Sequence, residues 1–306
     1  MQRWLETLAK NNIKLSENEP LSKHTTWRVG GPADAFVLPE DRAQLITTLE
    51  ILNSAAVEWK VIGNGSNLLV SDHGFQGALI SLTCNFDEIS VENTIITVGA
   101  QCALTKLARF ALENGLAGFE FAAGVPGTVG GAVTMNIGAH GAEISEIILD
   151  AEVLTETGEV QVWDKTEFGF TYRGSKLQRQ KVALLSARFQ LLTDSPKLIK
   201  ERMEIYNERR MKSQPIGFST AGSVFKNPEN NFAGKLIEEL GLKGETYGGA
   251  QVSTKHANFI VNLGAATSQD IYCLINFIQK KVLQEYGINL ETEIEMVGKF
   301  DFCNKF

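Results

Sequence analysis

Residues 124–131, Gly-Val-Pro-Gly-Thr-Val-Gly-Gly, contain the feature of this sequence that most constrains its fold. The stretch is too apolar for an exposed flexible linker, yet it is too rich in glycine for a helix or a strand. A backbone that lies close against a ligand, held rigid by Pro126, accounts for both properties. The stretch therefore predicts a ligand-binding loop.

A second glycine loop, Gly63-Asn64-Gly65-Ser66-Asn67, follows a predicted strand at 58–62. Glycines allow successive backbone N–H groups to converge on an anion, and Ser66 and Asn67 add side-chain donors. Leu68 replaces the third glycine of a dinucleotide-binding fingerprint, and extended residues follow where that fingerprint needs a helix. Taken alone, the loop is better explained as a polar turn. Together, the two loops indicate a pyrophosphate-bearing ligand in a fold that is not of the Rossmann type.

The composition is that of an ordinary globular protein of two or three domains, with 306 residues, 43% hydrophobic and 21% charged. The net charge of −7, with no run of lysine or arginine, argues against nucleic acid as a partner and leaves a small anionic ligand open. The N-terminal segment lacks the apolar core of a signal peptide, and no segment is long enough to span a membrane. We therefore expect a cytoplasmic protein without a membrane partner or an obligate protein partner.

The four cysteines, Cys84, Cys102, Cys273 and Cys303, are scattered and form no Cys-x-x-Cys pair. This spacing favours reduced thiols over a disulfide framework or a structural zinc site. The four histidines are also far apart in the sequence, so we expect no metal centre.

Short apolar runs bounded by turn residues predict a β-rich first half. The predicted strands lie at 58–62, 68–70 and 78–82, in hairpins at 89–98 and 151–163, and at 181–192. Apolar residues at helical spacing predict a helix at 104–112, and Asn114-Gly115 ends it.

The character of the sequence changes at Ser195-Pro196, where an N-cap serine and a first-turn proline predict a helix to about Lys212. Residues 267–270 resemble a capping box ahead of another helix, which ends at Gly287. Alternation of apolar and acidic residues over 288–296 predicts a final strand. The predicted fold class is α+β, in three parts: residues 1–85, 86–194 and 195–306.

Four segments, read in order, resemble one enzyme family, UDP-N-acetylenolpyruvoylglucosamine reductase (UDP-N-acetylmuramate dehydrogenase). They are HTTWRVGGP at 24–32, the loop and strand at 63–70, the glycine-rich stretch at 124–139, and AGSVFKNP at 221–228. One branch of the family carries a long insertion after the asparagine of the last motif, which closes a tyrosine over the substrate diphosphate. This insertion is absent here, so the chain resembles the shorter branch.

The resemblance implies a two-part FAD domain of the vanillyl-alcohol-oxidase type and a C-terminal substrate domain. It implies that both glycine loops, and two residues after them, bind FAD without a covalent bond. The implied FAD-binding residues are Gly63, Asn64, Gly65, Ser66, Asn67, Gly124, Val125, Pro126, Gly127, Thr128, Gly130, Gly131, Asn136 and Gly138.

The reaction that the resemblance implies reduces UDP-N-acetylglucosamine enolpyruvate to UDP-N-acetylmuramate, a precursor of peptidoglycan. NADPH reduces FAD, and the flavin N5 then delivers hydride to the methylene carbon of the enolpyruvyl ether. The preference for NADPH over NADH rests on the resemblance alone. Charge then moves into the substrate carboxylate, so the protein must stabilise that charge and supply a proton to the α-carbon.

Three residues match the catalytic positions of the family: Arg173, Ser223 and Glu293. Arg173 offers a fixed, always-charged fork to the substrate carboxylate. Glu293, when protonated beside that carboxylate, donates a hydrogen bond to it. Ser223 gives its proton to the α-carbon, and it needs no activating base because protonation of a strongly basic carbanion is downhill.

Taken one at a time, these residues have simpler explanations. Arg173 alone is best explained as a surface arginine, and alternation places Glu293 with other acidic residues on one strand face, which is typically solvated. Ser223 as a nucleophile would need a histidine and an acid. The nearest downstream histidine, His256, lies in an apolar run and is better explained as a structural residue.

Tyr172, Lys212 and Asn227 match family positions that contact the UDP-sugar. A lysine at a helix C-terminus is also an ordinary partner of the helix dipole, and Asn227-Pro228 is also a turn signal. Two other functions stay open. One is a different FAD enzyme of the same fold that acts on a hydroxy acid or a sugar, and the other is a non-enzymatic module that binds UDP-sugars or flavin.

Overall fold

The structure, a computed structural model, describes residues 3–303 apart from the side chain of Cys84. Packing divides these residues into two compact units. Unit 1 comprises residues 3–17, 35–63 and 77–210, and unit 2 comprises residues 18–34, 64–76 and 211–303.

Within residues 3–303 the chain forms eight α-helices, and side-chain caps fix the start of several of them. Their bounds are α1 Arg3–Lys10, α2 Arg42–Ser54, α3 Leu104–Glu113, α4 Val129–Thr134, α5 Ile144–Ile147, α6 Pro196–Ser213, α7 Ala233–Glu239 and α8 Ser268–Tyr286. Asp41 caps α2, because its side chain accepts a hydrogen bond from the N–H of Gln44.

The strands of the described chain are short, as expected from frequent turn residues. Their bounds are β1 Lys14–Pro20, β2 Pro32–Leu38, β3 Trp59–Ile62, β4 Leu68–Val70, β5 Phe75–Ser81, β6 Ile89–Glu92, β7 Ile95–Gly99, β8 Leu116–Ala117, β9 Gly138–Ala139, β10 Ala142–Glu143, β11 Ile148–Thr155, β12 Val160–Asp164, β13 Val182–Gln190, β14 Leu192–Thr193, β15 Thr246–Tyr247, β16 Ala250–Val252, β17 Ile260–Asn262 and β18 Glu295–Val297.

Unit 1 is built around two sheets. The first has the order β1-β2-β5-β3, and β3 runs parallel to β5 with Trp59 opposite Ala78. The second is an antiparallel sheet of order β12-β11-β13-β7-β6. In β7, Ile96 and Val98 are buried while their neighbours are half-buried, so this strand turns one face toward the core.

The core of unit 1 lies against these sheets and receives the apolar faces of the helices. In α3, Leu104, Leu107, Ala108 and Ala111 are all buried, at the helical spacing that predicts this helix. Each fully buried leucine contributes roughly 1.5–3 kcal/mol relative to an exposed one. The predicted strands of the first half are confirmed, with shifts of a few residues at their ends.

Unit 2 has its own core, three antiparallel strands in the order β15-β16-β17, and a parallel pair of β4 with β18. Helix α8 is the main apolar element, and its predicted capping box is confirmed. The Thr267 Oγ1 accepts the N–H of Asp270, and the Asp270 carboxylate accepts the N–H of Thr267, both at 3.0 Å. Gly287, with φ of 68°, ends the helix as predicted.

Two local predictions are wrong. Residues 129–134 form α4, although the stretch is rich in glycine, because Thr128 caps the helix and its apolar side chains are buried. The predicted strand at 288–296 is confined to Glu295–Val297, since the preceding residues pair only briefly, through a bridge between Thr292 and Phe225.

The prediction that all cysteines are reduced is also wrong. Cys273, in α8, forms a disulfide with Cys303, and their Cα atoms are 5.4 Å apart. The partners are separated by 30 residues, and only the return of the C-terminal segment to α8 brings them together. The Cys102 thiol is free and buried, and burial raises its pKa to about 11, so it is a poor nucleophile.

The two packing units divide the chain at other positions than the three predicted parts, because unit 2 includes residues 18–34 and 64–76 and resumes only at 211. Helix α6 begins at Pro196, as predicted, but its residues up to Arg210 belong to unit 1, where Arg202 pairs with Glu120 at 2.7 Å and with Asp194 at 2.6 Å. The ranges 1–85, 86–194 and 195–306 stay predictions about domains, which packing alone does not test. Over the described chain, no helix combines the length and the apolar composition needed to cross a membrane.

Candidate active site

Thr128 organises the glycine-rich stretch in unit 1. Its side chain is buried, and its Oγ1 accepts a hydrogen bond from the N–H of Gly131 at 3.3 Å. Such an N-cap contributes about 1 kcal/mol to helix stability. Gly63, at the start of the other loop, packs against the same residue, because a Cβ there would clash with Thr128 Oγ1. Within unit 1, the first residue of the 63–67 loop therefore lies against the glycine-rich stretch.

The backbone N–H groups at the start of α4 already have protein partners. Val129 donates to the carbonyl oxygen of Cys102 at 2.9 Å, and Gly130 donates to that of Ala100 at 2.8 Å. In the other loop, the N–H groups of Asn64 and Gly65 donate no hydrogen bond within residues 3–303. Backbone donors that could hold a pyrophosphate are therefore available in the 63–67 loop and not at Val129 and Gly130.

Gly65 must be a glycine in this loop. Its φ is 59°, in the left-handed region, and a Cβ would clash with the carbonyl oxygen of His24. The carbonyl oxygen of Gly65 accepts the N–H of Thr26 at 3.2 Å. These contacts within unit 2 hold the loop to the predicted HTTWRVGGP motif.

Arg173 lies beside a second glycine of the predicted cofactor site in unit 1. Its Nη2 donates to the carbonyl oxygen of Gly138 at 2.6 Å, and its guanidinium carbon lies 5.1 Å from the centre of the Tyr172 ring. The backbone of Arg173 is left-handed, with φ of 56°, in a tight turn that Thr171 and Gly174 close by mutual hydrogen bonds. This strained turn aims the predicted catalytic cation toward Gly138.

Asn136 supports this turn through its side chain, which is buried. Its Nδ2 donates to the carbonyl oxygen of Thr171 and to Glu143, both at 3.1 Å, and its Oδ1 accepts the N–H of Ser145 at 2.9 Å. The structure therefore assigns Asn136 a positioning role for the Arg173 turn. A direct contact of Asn136 with FAD stays a prediction.

In unit 2, the segments of Ser223 and Glu293 lie side by side. The N–H of Glu293 donates to the carbonyl oxygen of Val224 at 2.8 Å, and the N–H of Lys226 donates to that of Glu291 at 2.9 Å. Gly222, before the serine, has φ of 81° and no atom within 4 Å of the position that a Cβ would take. The segment of Ser223, the predicted proton donor, is therefore paired through its backbone with the segment of Glu293.

The predicted solvated face of acidic residues is only partly correct. Glu291 is exposed and pairs with Lys226 at 3.5 Å, whereas Glu293 is half-buried. Because the strand is broken here, alternation does not place these two carboxylates in equivalent environments. This separates Glu293 from Glu291, whereas Glu295 is half-buried like Glu293, so the choice of Glu293 stays a prediction from the resemblance.

Asn258 is a residue that sequence reasoning missed. It is buried, its Oδ1 accepts the N–H of Phe225 at 3.0 Å, and its Nδ2 donates to the carbonyl oxygen of Phe225 at 2.8 Å. Its own carbonyl oxygen accepts the N–H of Val224. Asn258 therefore fixes the strand that follows Ser223. The signal in the sequence was a polar residue inside an otherwise apolar run.

The prediction that His256 is structural is confirmed. Its Nδ1 accepts the N–H of Asn258 at 3.2 Å, and its ring lies 4.8 Å from that of Phe259. Burial is the largest cause that lowers the pKa of His256. The imidazole therefore has a structural role through these contacts. A histidine in a structural role does not activate Ser223 as a nucleophile, which supports another role for this serine.

The predicted substrate-binding residues are accessible. Tyr172 is 48% exposed in unit 1. Lys212 and Asn227 are exposed in unit 2, and the Oδ1 of Asn227 accepts the N–H of Ala233 at 3.1 Å. The amide nitrogen of Asn227 has no partner among the described residues, so it can donate to a ligand.

Comparisons with known proteins cover nearly the whole chain. Residues 33–164 match the FAD binding domain family, and residues 214–297 match the C-terminal domain of UDP-N-acetylenolpyruvoylglucosamine reductase. The reductase of Halalkalibacterium halodurans is 44% identical over 98% of this chain and 100% of its own length. That of Bacillus subtilis is 40% identical over 97% of this chain and 99% of its own.

A solved structure agrees with these sequence relatives. The crystal structure of UDP-N-acetylenolpyruvylglucosamine reductase from Thermus caldophilus superimposes with a TM-score of 0.80 at 35% identity, covering 94% of this chain and 99% of that one. Sequence and fold therefore both match over nearly the full length of each protein. The chain belongs to the UDP-N-acetylenolpyruvoylglucosamine reductase family.

Proposed function

We propose that this protein reduces UDP-N-acetylglucosamine enolpyruvate to UDP-N-acetylmuramate, with FAD as its bound cofactor and NADPH as the reductant. The observation that carries the proposal is the pairing of the Ser223 and Glu293 segments through the 2.8 Å hydrogen bond from Glu293 to Val224, in a chain of the reductase family. We place the reaction in the cytoplasm, where both nucleotides are metabolites.

The residues present fit FAD. Asn64 and Gly65 offer backbone N–H groups that have no other partner in the described chain, and the exposed Gly131 leaves room on the glycine-rich stretch. These groups would hold the cofactor together with Ser66, Asn67 and the remaining predicted residues of the two loops. When bound, FAD supplies the hydride chemistry, accepting from NADPH and delivering to the enolpyruvyl methylene carbon.

Arg173 would stabilise the negative charge that grows on the substrate carboxylate. A guanidinium forms two parallel hydrogen bonds to a carboxylate, and it stays charged at every relevant pH. The left-handed turn at Arg173 and the hydrogen bond to Gly138 preorganise this cation. Preorganised donors cost little reorganisation during the reaction, which is why they lower the barrier.

Ser223 would hold the proton that passes to the α-carbon. Gly222 and Asn258 fix the backbone on either side of it, so the hydroxyl is held by the fold rather than by a neighbouring base. Glu293, when protonated, would assist by donating a hydrogen bond to the substrate carboxylate. Tyr172, Lys212 and Asn227 would bind the UDP-sugar, the last through its amide nitrogen.

The visible spectrum of the purified protein is the first test. We expect the flavin absorbance bands, which disappear when NADPH is added without oxygen and return when the enolpyruvyl sugar nucleotide is added. A colourless protein that cannot take up FAD would contradict the proposal. Reoxidation by oxygen but not by the enolpyruvyl substrate would instead indicate an oxidase of the same fold, with a hydroxy acid or a sugar as its substrate.

A further inference from the structure

Arg210, in the last turn of α6, is a half-buried cation without a counter-charge. Within residues 3–303 its guanidinium makes no hydrogen bond and no ion pair, whereas Arg202 on the same helix binds both Glu120 and Asp194. Burial lowers the pKa of Arg210, with no charged neighbour contributing to the shift. A charge that is removed from water without a partner is costly, so a bound anion at this position would be stabilising.

The surroundings of Arg210 in unit 1 contain donors and positive charge. Asn207 lies one turn earlier in α6, and its side-chain amide also has no hydrogen-bond partner in the described residues. The His140 ring stacks on Tyr206 of α6, with 4.1 Å between ring centres. Burial, followed by repulsion from Arg209 and Arg210, lowers the pKa of His140. The local field is therefore positive and attracts an anion.

Gly124 connects this cluster to the glycine-rich stretch. A Cβ at Gly124 would lie 2.5 Å from Asn207 Oδ1 and 3.0 Å from Arg210 Cδ. The glycine is thus required so that the two α6 side chains can lie against the first residue of the stretch. This contact is independent of the hydrogen bonds that hold α4 and of the Arg173 turn.

We propose that Arg210 and Asn207 form an anion-binding site beside Gly124 that takes a phosphate group of FAD. The inference rests on the proposed function, because FAD is the cofactor of that reaction. A guanidinium fork matches two phosphate oxygens, and the Asn207 amide adds a further donor. FAD is favoured over other phosphates because Gly124 belongs to the stretch assigned to it. UDP-sugar and NADPH carry the same diphosphate chemistry, and the experiment separates these sources.

The test compares Arg210→Gln, Arg210→Lys and the matched control Arg209→Gln, which removes an equal charge from an exposed neighbour on the same helix. For each flavin-loaded protein, serial dilution with detection of released flavin fluorescence gives the Kd of FAD. Titration with UDP, followed by the change in flavin absorbance, gives the Kd of the nucleotide. The KM for NADPH comes from steady-state turnover with the enolpyruvyl sugar nucleotide.

We expect Arg210→Gln to raise the Kd of FAD by about 10- to 100-fold, Arg210→Lys to raise it less, and Arg209→Gln to leave it within about 3-fold. If Arg210→Gln is unstable, Asn207→Asp provides a second variant, since a carboxylate beside Arg210 should weaken FAD binding while Asn207→Ala should weaken it less. The Kd of UDP and the KM for NADPH should stay unchanged.

Three results would overturn the inference. Unchanged Kd values for every ligand in Arg210→Gln would show that Arg210 binds no anion. An equal rise of the Kd of FAD in Arg209→Gln and Arg210→Gln would indicate an effect of overall positive charge and not of a specific site. Weaker binding of UDP or NADPH with FAD retained would assign the phosphate to that ligand instead of FAD. A wild-type protein that binds no flavin would contradict the proposed function itself, so the two failures are distinguishable.

Discussion

The side chain of Asn67 donates a hydrogen bond from Nδ2 to the carbonyl oxygen of Glu293 at 3.0 Å. The carbonyl oxygen of Asn67 also accepts the N–H of Glu295 at 2.9 Å. The last residue of a glycine loop predicted to bind FAD therefore positions the backbone of a predicted catalytic glutamate. Within unit 2, two hydrogen bonds therefore connect the predicted cofactor loop to the segment that contains Glu293.

Replacement of Asn67 by alanine should therefore affect turnover as well as stability. Loss of one neutral hydrogen bond costs about 1 kcal/mol of unfolding free energy. We expect turnover at saturating FAD to fall about tenfold, which corresponds to about 1.4 kcal/mol in the barrier. The matched control is Asn276→Ala, which removes a hydrogen bond of 2.8 Å to Tyr272 within α8. Equal turnover in the two variants, measured by steady-state kinetics, would show that Asn67 does not position Glu293.

Ser223→Ala should separate the two half-reactions. The variant lacks the proton donor but keeps the backbone pairing, so reduction by NADPH should stay within about 2-fold while reoxidation by substrate slows by about 10²- to 10⁴-fold. Stopped-flow absorbance of the flavin measures both steps. Ser219→Ala, four residues earlier in the same segment, serves as the control. Equal slowing of both half-reactions in Ser223→Ala would mean that this serine is structural.

Arg173→Lys should be far from conservative. Lysine keeps the charge but lacks the planar fork, and it cannot bind a carboxylate through two parallel hydrogen bonds. We expect kcat/KM to fall by about 100-fold, equivalent to about 2.7 kcal/mol of transition-state stabilisation. The exposed Arg179→Lys provides a nearby control. Unchanged kcat/KM in Arg173→Lys would exclude Arg173 from the mechanism.

Reduction of the Cys273–Cys303 disulfide should destabilise unit 2. A cross-link that closes a loop of 30 residues stabilises the folded state by about 3–4 kcal/mol in the chain-entropy treatment. Denaturant unfolding with and without a thiol reductant measures this difference. Cys273→Ser and Cys303→Ser should each show the loss without reductant and no further loss with it. A wild-type midpoint that reductant leaves unchanged would contradict the prediction.

Much of the fold could be predicted because its signals are local. The cap at Thr267, the end of α8 at Gly287 and the helix at 104–112 each depend on residues a few positions apart. The same reasoning failed at α4, where the high glycine content suggested a loop. Burial of its valines and the cap from Thr128 outweighed the intrinsic cost of glycine in a helix.

The sequence by itself determined the helix and strand periodicities, the caps, the two glycine loops and, through four motifs, the family. Only the tertiary structure decided which distant residues meet. The pairing of Val224 with Glu293, the two hydrogen bonds of Asn258 to Phe225, the disulfide, and the contact of Arg210 with Gly124 all join segments far apart in the chain. Local propensity depends on a few neighbouring residues, whereas these contacts depend on how whole elements bury their apolar faces.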